Sequence, residues 1–409
     1  MIKPKLRFKA DDGSQFPDWE EKKLNEIAVR VTRKNKDNVT DIPLTISSAD
    51  GLIDQRNFFN KVIASKDMSG YYLLKNGEFA YNKSYSKGYD FGSIKRLDLY
   101  DEGALSTLYI CFELNKNENS DFYQKYFDSL SWYPELQKIC AEGARNHGLL
   151  NVPTNDFFQL KLCVPSSDKE QQKIADFLST IDTVIEKQKE TVSAWEECKK
   201  GVMQKLFSQE VRFKADDGSD FPEWEEKKLG EVADIYDGVH QTPEYVSSGV
   251  KFVSVENIES IYSTNKYITQ KAFERDYKNN IPKKWDILMT RIGDVGRVAL
   301  IDDDEQLAYY VSLALIRVSS DFVPQFFVQA LRSDFFQAEL WRNMLHTAYP
   351  KKINKQDIGK CKVKFPVSIA EQQKIADCLS SLDEVIEKQK ATLSAWEELK
   401  KGLLQQMFV

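Results

Sequence analysis

The sequence lacks the patterns that mark several common classes of protein. Its six cysteines are scattered without a CxxC pair, and its three histidines, His147, His240 and His346, lie far apart. Because zinc sites and disulfide frameworks need clustered ligands, we expect no structural metal and reduced thiols. The longest apolar run is too short to cross a bilayer, and the N-terminus has no signal-peptide core. We therefore expect a cytoplasmic protein.

Motifs of catalysis are also missing from the sequence. We find no glycine-rich cofactor loop, no NPPF or DPPY tetrad of an amino-methyltransferase, no GxxxxGK[ST] and no nuclease-like cluster of carboxylates with lysine. We therefore expect no catalytic residues and no cofactor bound to this chain.

Length and charge are those of an ordinary globular protein. The 409 residues can form two or three domains, and 42% of them are apolar. A net charge of −6 argues against a protein that coats nucleic acid by charge alone. Local charge differs, because residues 339–364 carry +5 and residues 75–97 carry +3. These two stretches could therefore form local basic surfaces that bind nucleic acid.

Two stretches of the chain occur twice. Residues 7–28 return at 212–233 with 18 of 22 positions identical, and residues 170–207 return at 371–408 with 27 of 38 identical. The segments between them, roughly 29–169 and 234–370, have similar lengths but no alignment visible by eye. This pattern predicts one scaffold built twice that carries two different binding segments.

The second repeat predicts a long helix in each copy. Ser167 with Glu170, and Ser368 with Glu371, form S-x-x-E patterns, in which we expect the glutamate to reach back to a backbone amide. Neither proline nor glycine then follows until Gly201 in the first copy. We expect two helices of about 38 residues, or roughly 57 Å each.

An apolar stripe along both helices predicts that they pair as a coiled coil. A polar residue on the seam, Gln188 or Gln389, would fix the register of the pair or would mark a wetter stretch of it. A second seam position in each heptad is assigned to residues such as Phe177, Val184, Cys198 and Leu399, with Leu178 and Ile185 as flanks. The residues predicted to pack between the helices are Ile174, Ile181, Gln188, Trp195, Ile375, Leu382, Gln389 and Trp396.

Chain order and pseudo-two-fold symmetry predict that the helices run antiparallel. Val409 would then lie beside residues 7–28. Two binding segments held apart by stiff helices predict a split target with an unread gap, because paired DNA-binding elements occupy half-sites about 34–36 Å apart.

Basic, aromatic and hydrogen-bonding residues cluster in both non-repeated segments, as contacts to base edges and phosphates require. For each residue alone, a solvated loop over a β core is the alternative. In the second segment, Gly293 and Gly296 predict a hairpin over residues 286–301, with Arg291 and Arg297 at its tip. The candidate DNA-binding residues are Lys83, Ser84, Tyr85, Lys87, Lys95, Arg96, Arg145, Asn146, His147, His240, Gln241, Thr242, Arg291, Arg297, Tyr349, Lys351, Lys352 and Asn354.

These motifs resemble a known family. The P-x-x-x-x-E-Q-Q-K-I-A pattern at 165–175 and 366–376, the duplicated helix, and the segments AYNKSYSKGYDFGSIKRL, ARNHGLLNVP and TRIGDVGRVALI are similar to specificity subunits of type I restriction-modification systems. The resemblance implies a non-catalytic subunit that recognises a bipartite site in double-stranded DNA. It also implies two modification subunits that use S-adenosylmethionine to methylate adenine, and restriction subunits that use ATP and Mg as further partners.

The expected fold class is α+β, with two globular α/β target-recognition domains separated by a pair of long antiparallel coiled-coil helices in a pseudo-two-fold repeat. The predicted segments are 1–167 and 209–368 for the domains, and 168–208 and 369–409 for the spacer helices. Two other functions remain open: a free-standing bipartite DNA-binding regulator, and a coiled-coil scaffold whose globular ends bind protein or ligand.

Overall fold

The computed structural model describes residues 4–48, 50–58, 64–140 and 150–409, without the side chain of Phe58. The chain forms two compact units, which we call unit 1 (residues 1–189 with 392–409) and unit 2 (residues 190–391). Both mix helices and short, mostly antiparallel strands, so the α+β class is confirmed. Each long helix contributes one half to each unit, whereas the predicted boundaries give each helix a segment of its own. The reason is that each half packs on the core beside it.

Unit 1 begins with the first copy of the short repeat and ends its globular part at the start of the first long helix. Its elements in chain order are β1 (Trp19–Lys23), α1 (Leu24–Ile27), β2 (Ala28–Arg30), β3 (Leu44–Ser47), β4 (Gly51–Asp54), α2 (Gln55–Phe58), β5 (Tyr72–Lys75), β6 (Phe79–Asn82), β7 (Ser93–Arg96), β8 (Glu102–Leu105), β9 (Ile110–Leu114), α3 (Ser120–Ser129), α4 (Tyr133–Ile139), α5 (Thr154–Phe157), β10 (Lys161–Pro165) and α6 (Asp168–Phe207).

Unit 2 repeats this plan from the second copy of the short repeat onward. Its elements are β11 (Glu225–Lys228), α7 (Leu229–Val232), β12 (Ala233–Asp237), β13 (Val250–Val253), β14 (Tyr267–Ile268), α8 (Gln270–Asp276), β15 (Ile287–Thr290), β16 (Val298–Leu300), β17 (Leu307–Tyr309), β18 (Leu313–Val318), α9 (Pro324–Arg332), α10 (Asp334–Asn343), α11 (Lys355–Lys360), β19 (Lys362–Phe365) and α12 (Ile369–Met407).

The two units contain the same central sheet, although their sequences share no visible alignment. Unit 1 has the antiparallel order β2-β9-β6-β7, and unit 2 has β12-β18-β15-β16. In each unit a strand of the short repeat also pairs with the strand that precedes the long helix, β1 with β10 and β11 with β19. Topology therefore survives where side chains have diverged.

Successive side chains of a strand point to opposite faces of the central sheet, and an apolar core lies on each face. In β15, Ile287 and Met289 belong to one apolar cluster and Leu288 belongs to another. In β6, Phe79 and Tyr81 face the core that carries the long helix, and Ala80 faces the second core. Because both faces are covered, these strands are apolar without a polar side.

Burial sets the phase of the stripe on the long helices, and one part of the prediction was wrong. Ile174, Ile181 and Ile375 are buried, and Leu382, Trp195, Trp396, Gln188 and Gln389 are half-buried. The second seam position was placed one residue too early in the heptad. Leu178 and Ile185 are buried, whereas Cys198 is exposed and Leu399 is 47% exposed.

A lysine–aspartate pair joins segments of the two long helices in each unit. In unit 1, Lys400 lies 2.6 Å from Asp182, which also binds Lys125 of α3 at 2.5 Å. In unit 2, Lys199 lies 2.5 Å from Asp383. These lysines fall on the seam, where the sequence pattern had predicted only apolar residues and glutamine.

The helix segments within each unit run antiparallel. In unit 2, Lys199 pairs with Asp383, while the earlier Glu196 pairs with the later Lys390 at 2.9 Å. In unit 1, the start of α6 shares an apolar cluster with residues 403–409 of the chain's end.

The glutamates that open the long helices do not have the capping role that we predicted. Glu170 is fully buried and accepts hydrogen bonds from Arg7 Nε at 2.7 Å, Arg7 Nη2 at 2.8 Å and Trp19 Nε1 at 3.3 Å. Glu371 binds Arg212 and Trp224 in the same way. A buried carboxylate gains more from a guanidinium than from a backbone amide, because both partners are charged. In each copy, this contact joins the short repeat to the long-helix repeat.

The C-terminus returns to unit 1, as the antiparallel prediction required. Leu6 donates its backbone N–H to the carbonyl of Gln406 at 2.9 Å. The Phe408 ring is buried, with its centroid 5.7 Å from that of Tyr126 and 6.4 Å from that of Trp19. Burial of one such ring stabilises a core by about 2 kcal/mol.

Candidate nucleic-acid interface

In unit 1 the candidate residues Lys83, Ser84, Tyr85 and Lys87 lie on the loop between β6 and β7. The loop leaves the sheet after Asn82, whose side chain accepts a hydrogen bond from the Ser84 backbone at 2.9 Å. Ser86 and Tyr89 then pair backbone to backbone and close the loop. Tyr85 is 57% exposed, and Lys87 is exposed beside it. These two side chains are free to meet a ligand.

Lys83 fixes the base of this loop. Its ammonium donates to the Val152 carbonyl at 3.0 Å, and its own carbonyl accepts from the Leu150 backbone at 2.9 Å. Burial is the main cause that lowers the pKa of Lys83, and the charge of Arg30 adds to it. Lys83 therefore joins the loop to residues 150–152. The predicted residues Arg145, Asn146 and His147 lie outside the described residues.

Lys95 and Arg96 are engaged by carboxylates within unit 1. Lys95 of β7 lies 2.7 Å from Asp128 of α3, and its side chain is 14% exposed. Arg96 binds Asp98 and Asp121, each at 2.7 Å. A cation that is saturated by internal carboxylates gains little from a phosphate. Their geometry favours a role in attaching α3 to the sheet over the predicted role in DNA binding.

In unit 2 the predicted hairpin is present. Strands β15 and β16 pair antiparallel, and Gly293 and Gly296 have φ values of +86° and +101° at the turn. A Cβ at Gly296 would also lie 2.5 Å from the Gln337 Oε1, so that side chain would have to shift. The prediction for residues 286–301 is therefore confirmed.

Arg291 ties three loops of unit 2 together. Its guanidinium binds Asp237 at 2.5 Å and the Val311 carbonyl at 2.8 Å, and its own carbonyl accepts from the Ile353 backbone at 3.0 Å. Its side chain is only 11% exposed. Arg291 therefore assembles the surface and has little area left for a phosphate.

Arg297 is also held by carboxylates. Its guanidinium binds Glu259, with Nε at 2.9 Å, and Asp294 lies 3.8 Å away. The Arg297 side chain is 39% exposed, so its pair with Glu259 is worth less than about 1 kcal/mol. A phosphate could therefore take the place of Glu259. Arg297 is a weaker candidate than the exposed lysines of the same unit.

The loops that Arg291 joins carry the exposed candidates. His240, Gln241 and Thr242 are exposed on the loop that follows β12. Tyr349 is fully exposed, and Lys351 and Lys352 are exposed beside it.

The segment that carries Tyr349 is fastened to the hairpin. Gly293 donates its backbone N–H to the Lys351 carbonyl at 2.8 Å, and Lys352 bridges both Ile292 and Leu345. Asn354 is exposed, and its amide lies 3.3 Å from the Asp357 carboxylate. Three separate stretches of sequence therefore meet on one surface of unit 2.

The candidate loops occupy equivalent places in the two units. In both, the loop follows the third strand of the sheet order, and the residue after that strand accepts a hydrogen bond from the segment before a short helix. Leu150 donates to Lys83 in unit 1, and Ile353 donates to Arg291 in unit 2. The same backbone plan thus presents different side chains.

One aromatic pair was missed by the sequence analysis. Trp341 of α10 is 59% exposed, and its ring centroid lies 4.6 Å from that of His346. Trp341 sits in a helix with a mixed pattern, so only the structure reveals its exposure. The one available signal was its position inside the basic stretch 339–364.

Neither a metal-binding cluster nor a membrane-spanning helix is found among the residues that the structure describes. Among those residues, no group of three or more histidine, cysteine, aspartate and glutamate side chains could hold a metal ion. Among the same residues, no helix combines the length and the apolar character that a membrane span requires.

Comparison with known proteins shows which proteins the chain is similar to. A family model described as the type I restriction modification DNA specificity domain matches residues 222–395. The chain is 27% identical over 332 residues to the type I restriction enzyme MjaVIII specificity subunit of Methanocaldococcus jannaschii, covering 77% of this chain and 76% of that protein. It is 24% identical to the putative MjaX specificity subunit of the same organism, covering 97% and 94%.

Solved structures show the same fold. The type I restriction-modification S subunit from M. genitalium has a TM-score of 0.56 at 15% identity and covers 100% of this chain and 99% of that one. A chain from a study of complex assembly and conformational transition of the type I R-M system has a TM-score of 0.54 at 16% identity, covering 96% and 98%. These matches agree with the resemblance of the chain to specificity subunits of type I restriction-modification systems.

Proposed function

We propose that this chain is the DNA sequence-recognition subunit of a type I restriction-modification complex and that each of its two globular domains recognises one half of a bipartite target. One observation carries the proposal. Both units build the same sheet, and in both the residue after its third strand is hydrogen-bonded to a segment that precedes a short helix. The exposed side chains at this place differ, with Tyr85 and Lys87 on the loop after the strand in unit 1 and Tyr349 and Lys351 on the neighbouring segment in unit 2. Two unlike half-sites fit this arrangement.

In this proposal the long helices act as a spacer between the two target-recognition domains. Helices α6 and α12 have 40 and 39 residues, so each is about 60 Å long. An antiparallel coiled coil of the two would hold the half-sites at a fixed separation. The antiparallel contacts found inside each unit support this role.

A change of helix length tests the spacer. Deletion or insertion of residues between Glu186 and Val192 should change the number of unread base pairs and leave both half-sites as they are. A variant that alters the half-sites and keeps the gap would contradict the spacer role.

Chemistry is assigned to partner subunits. We propose that two modification subunits carry S-adenosylmethionine and methylate an adenine in each half-site, with the adenine flipped into their pocket and not into this chain. Restriction subunits that use ATP and Mg for cleavage would be further partners, and no cofactor is assigned to this chain. The complex would act in the cytoplasm, where its DNA and these cofactors occur together.

Co-purification tests the partner assignment. The chain should draw an adenine methyltransferase from host extract, and the isolated chain should not bind S-adenosylmethionine. Binding of S-adenosylmethionine by the isolated chain would contradict the assignment of this cofactor to the modification subunits.

Long-read methylation mapping of host DNA, with the gene present and deleted, tests the function directly. The expected result is one bipartite adenine-methylated motif that disappears on deletion, which gives both half-sites and the gap. Sequence-specific binding without any change in methylation would favour a free-standing regulator. If DNA binding shows no sequence preference even with the modification subunit present, the result would favour the coiled-coil scaffold.

A further inference from the structure

Three aromatic side chains, Trp341, His346 and Tyr349, lie on α10 and on the segment after it that pairs with the hairpin of unit 2 at Lys352. We call them the aromatic surface. Trp341 is 59% exposed with its ring against His346, and Tyr349 is fully exposed. Large aromatic side chains are rarely left in water together, and such patches mark places of contact.

The backbone beneath this surface is ordered in advance. Helix α10 is anchored through Phe336 and Leu340, which are buried. The loop after it is closed by the hydrogen bond from Leu345 N–H to the Lys352 carbonyl at 2.8 Å. Because the backbone is already fixed, a ligand does not have to order it, and the aromatic rings can contribute more of their contact energy to binding.

The charge around the aromatic surface is positive. Lys351, Lys352 and Lys355 are exposed, and within the described residues none of them has an ion-pair partner. The nearest acidic residues along the chain are occupied, since Glu339 binds Arg342 and Asp357 binds Lys360. Unpaired ammonium groups beside exposed rings fit a polyanion that also presents flat apolar groups, and DNA has both features.

We propose that Trp341, His346 and Tyr349 form the base-contacting surface for the second half-site, while Lys351, Lys352 and Lys355 hold the phosphates beside it. The proposal rests on the proposed function and adds the residues that set specificity in one half. Aromatic side chains make apolar contacts in a groove, for example with the methyl group of thymine. Lysines on the flank contribute affinity without sequence preference.

The test uses the assembled complex with its modification subunit and short duplexes of the mapped target. Dissociation constants are measured for the cognate duplex and for duplexes substituted in the first or the second half. For the wild-type complex, each substitution should weaken binding by about 10- to 100-fold. In Trp341→Ala and Tyr349→Ala, the effect of second-half substitutions should fall by about tenfold, and the effect of first-half substitutions should stay.

Trp285→Ala is the matched control. Trp285 is 41% exposed and precedes β15, whereas Arg291 follows it, so the control tryptophan lies at the opposite end of that strand. It should retain wild-type discrimination in both halves. Trp341→Phe should keep most of the second-half discrimination, because the ring remains.

The lysines are tested separately. Lys351→Ala combined with Lys352→Ala should weaken binding to every duplex and make its salt dependence shallower, with discrimination unchanged.

Two results would overturn the proposal: second-half discrimination within twofold of wild type in both aromatic variants, or an equal loss in both halves. The first of these is also the outcome expected if the surface binds an acidic protein. A wild-type complex that discriminates in neither half would refute the proposed function itself, which is a distinguishable result.

Discussion

Removal of the Glu170 carboxylate should destabilise unit 1 much more than removal of an exposed carboxylate of the same repeat. Glu170 is fully buried and accepts two hydrogen bonds from Arg7 and one from the Trp19 indole. Glu170→Ala would leave the guanidinium, whose side chain is 14% exposed, and the buried indole N–H without this acceptor. The substitution therefore removes one partner of the buried Glu170–Arg7 ion pair.

The expected magnitude follows from that burial. Removing one partner of a buried ion pair costs about 3–5 kcal/mol, and the partial exposure of Arg7 places this case near about 3 kcal/mol. A unit of roughly 200 residues loses about 2–4 °C of melting temperature per kcal/mol, so a fall of about 6–12 °C is expected. Glu170→Gln keeps an acceptor for the indole and should cost about half as much.

Calorimetric unfolding of the full chain measures the effect, and hydrogen exchange locates it. Asp11→Ala is the matched control, because Asp11 binds Lys173 at 2.5 Å from the same repeat but is 87% exposed. That change should leave the melting temperature nearly unchanged, because an exposed ion pair is screened by solvent. Exchange in β1 and β10 should accelerate in Glu170→Ala and stay unchanged in the control. A shift for Glu170→Ala no larger than that of Asp11→Ala would refute the argument.

Two further predictions concern ionisation. Burial by itself would raise the pKa of Asp182, but its pairing with Lys400 and with a second lysine of α3 outweighs burial and holds its pKa below the ordinary value. The stability from this group is then present above about pH 4 and is lost as the pH falls through the lowered pKa, so Asp182→Asn should destabilise the chain at pH 7 and converge with wild type in acid melts. Burial raises the pKa of the thiols of Cys111 and Cys361 to about 12. At pH 8 a thiol reagent followed by peptide mapping should label exposed Cys198 first and label these two only on unfolding, and rapid labelling of both in the folded chain would contradict their burial.

The sequence predicted those features that depend on repetition or on local backbone needs. The long helices follow from uninterrupted heptads, and the hairpin at 286–301 follows from glycines that accept positive φ. The return of Val409 to residues 7–28 follows from chain order together with the symmetry of the two copies. Each of these needs only the pattern of one segment or the symmetry between two copies.

Other features depended on contacts between distant segments and were not predicted. Phe177 and Leu178 are both apolar, and only packing against the core decides that Leu178 is fully buried. Glu170 fits a capping pattern, but its true partner lies 163 residues away. The common sheet order of the two units was hidden because backbone pairing tolerates many apolar side chains.

A count of basic residues in the sequence overestimates the number of nucleic-acid contacts, because some of these residues hold the surface together. Arg291, the residue after β15, binds Asp237 and joins three loops, and Lys83, the residue after β6, binds the Val152 carbonyl at the same point of unit 1. In both units the cation nearest the sheet is used to assemble the surface. Residues farther out, such as Tyr85 and Tyr349, keep their exposure and remain free for a ligand. A change of specificity should therefore be reached by substituting the outer residues while the inner cation is kept, because loss of that cation would disturb all the loops it joins at once.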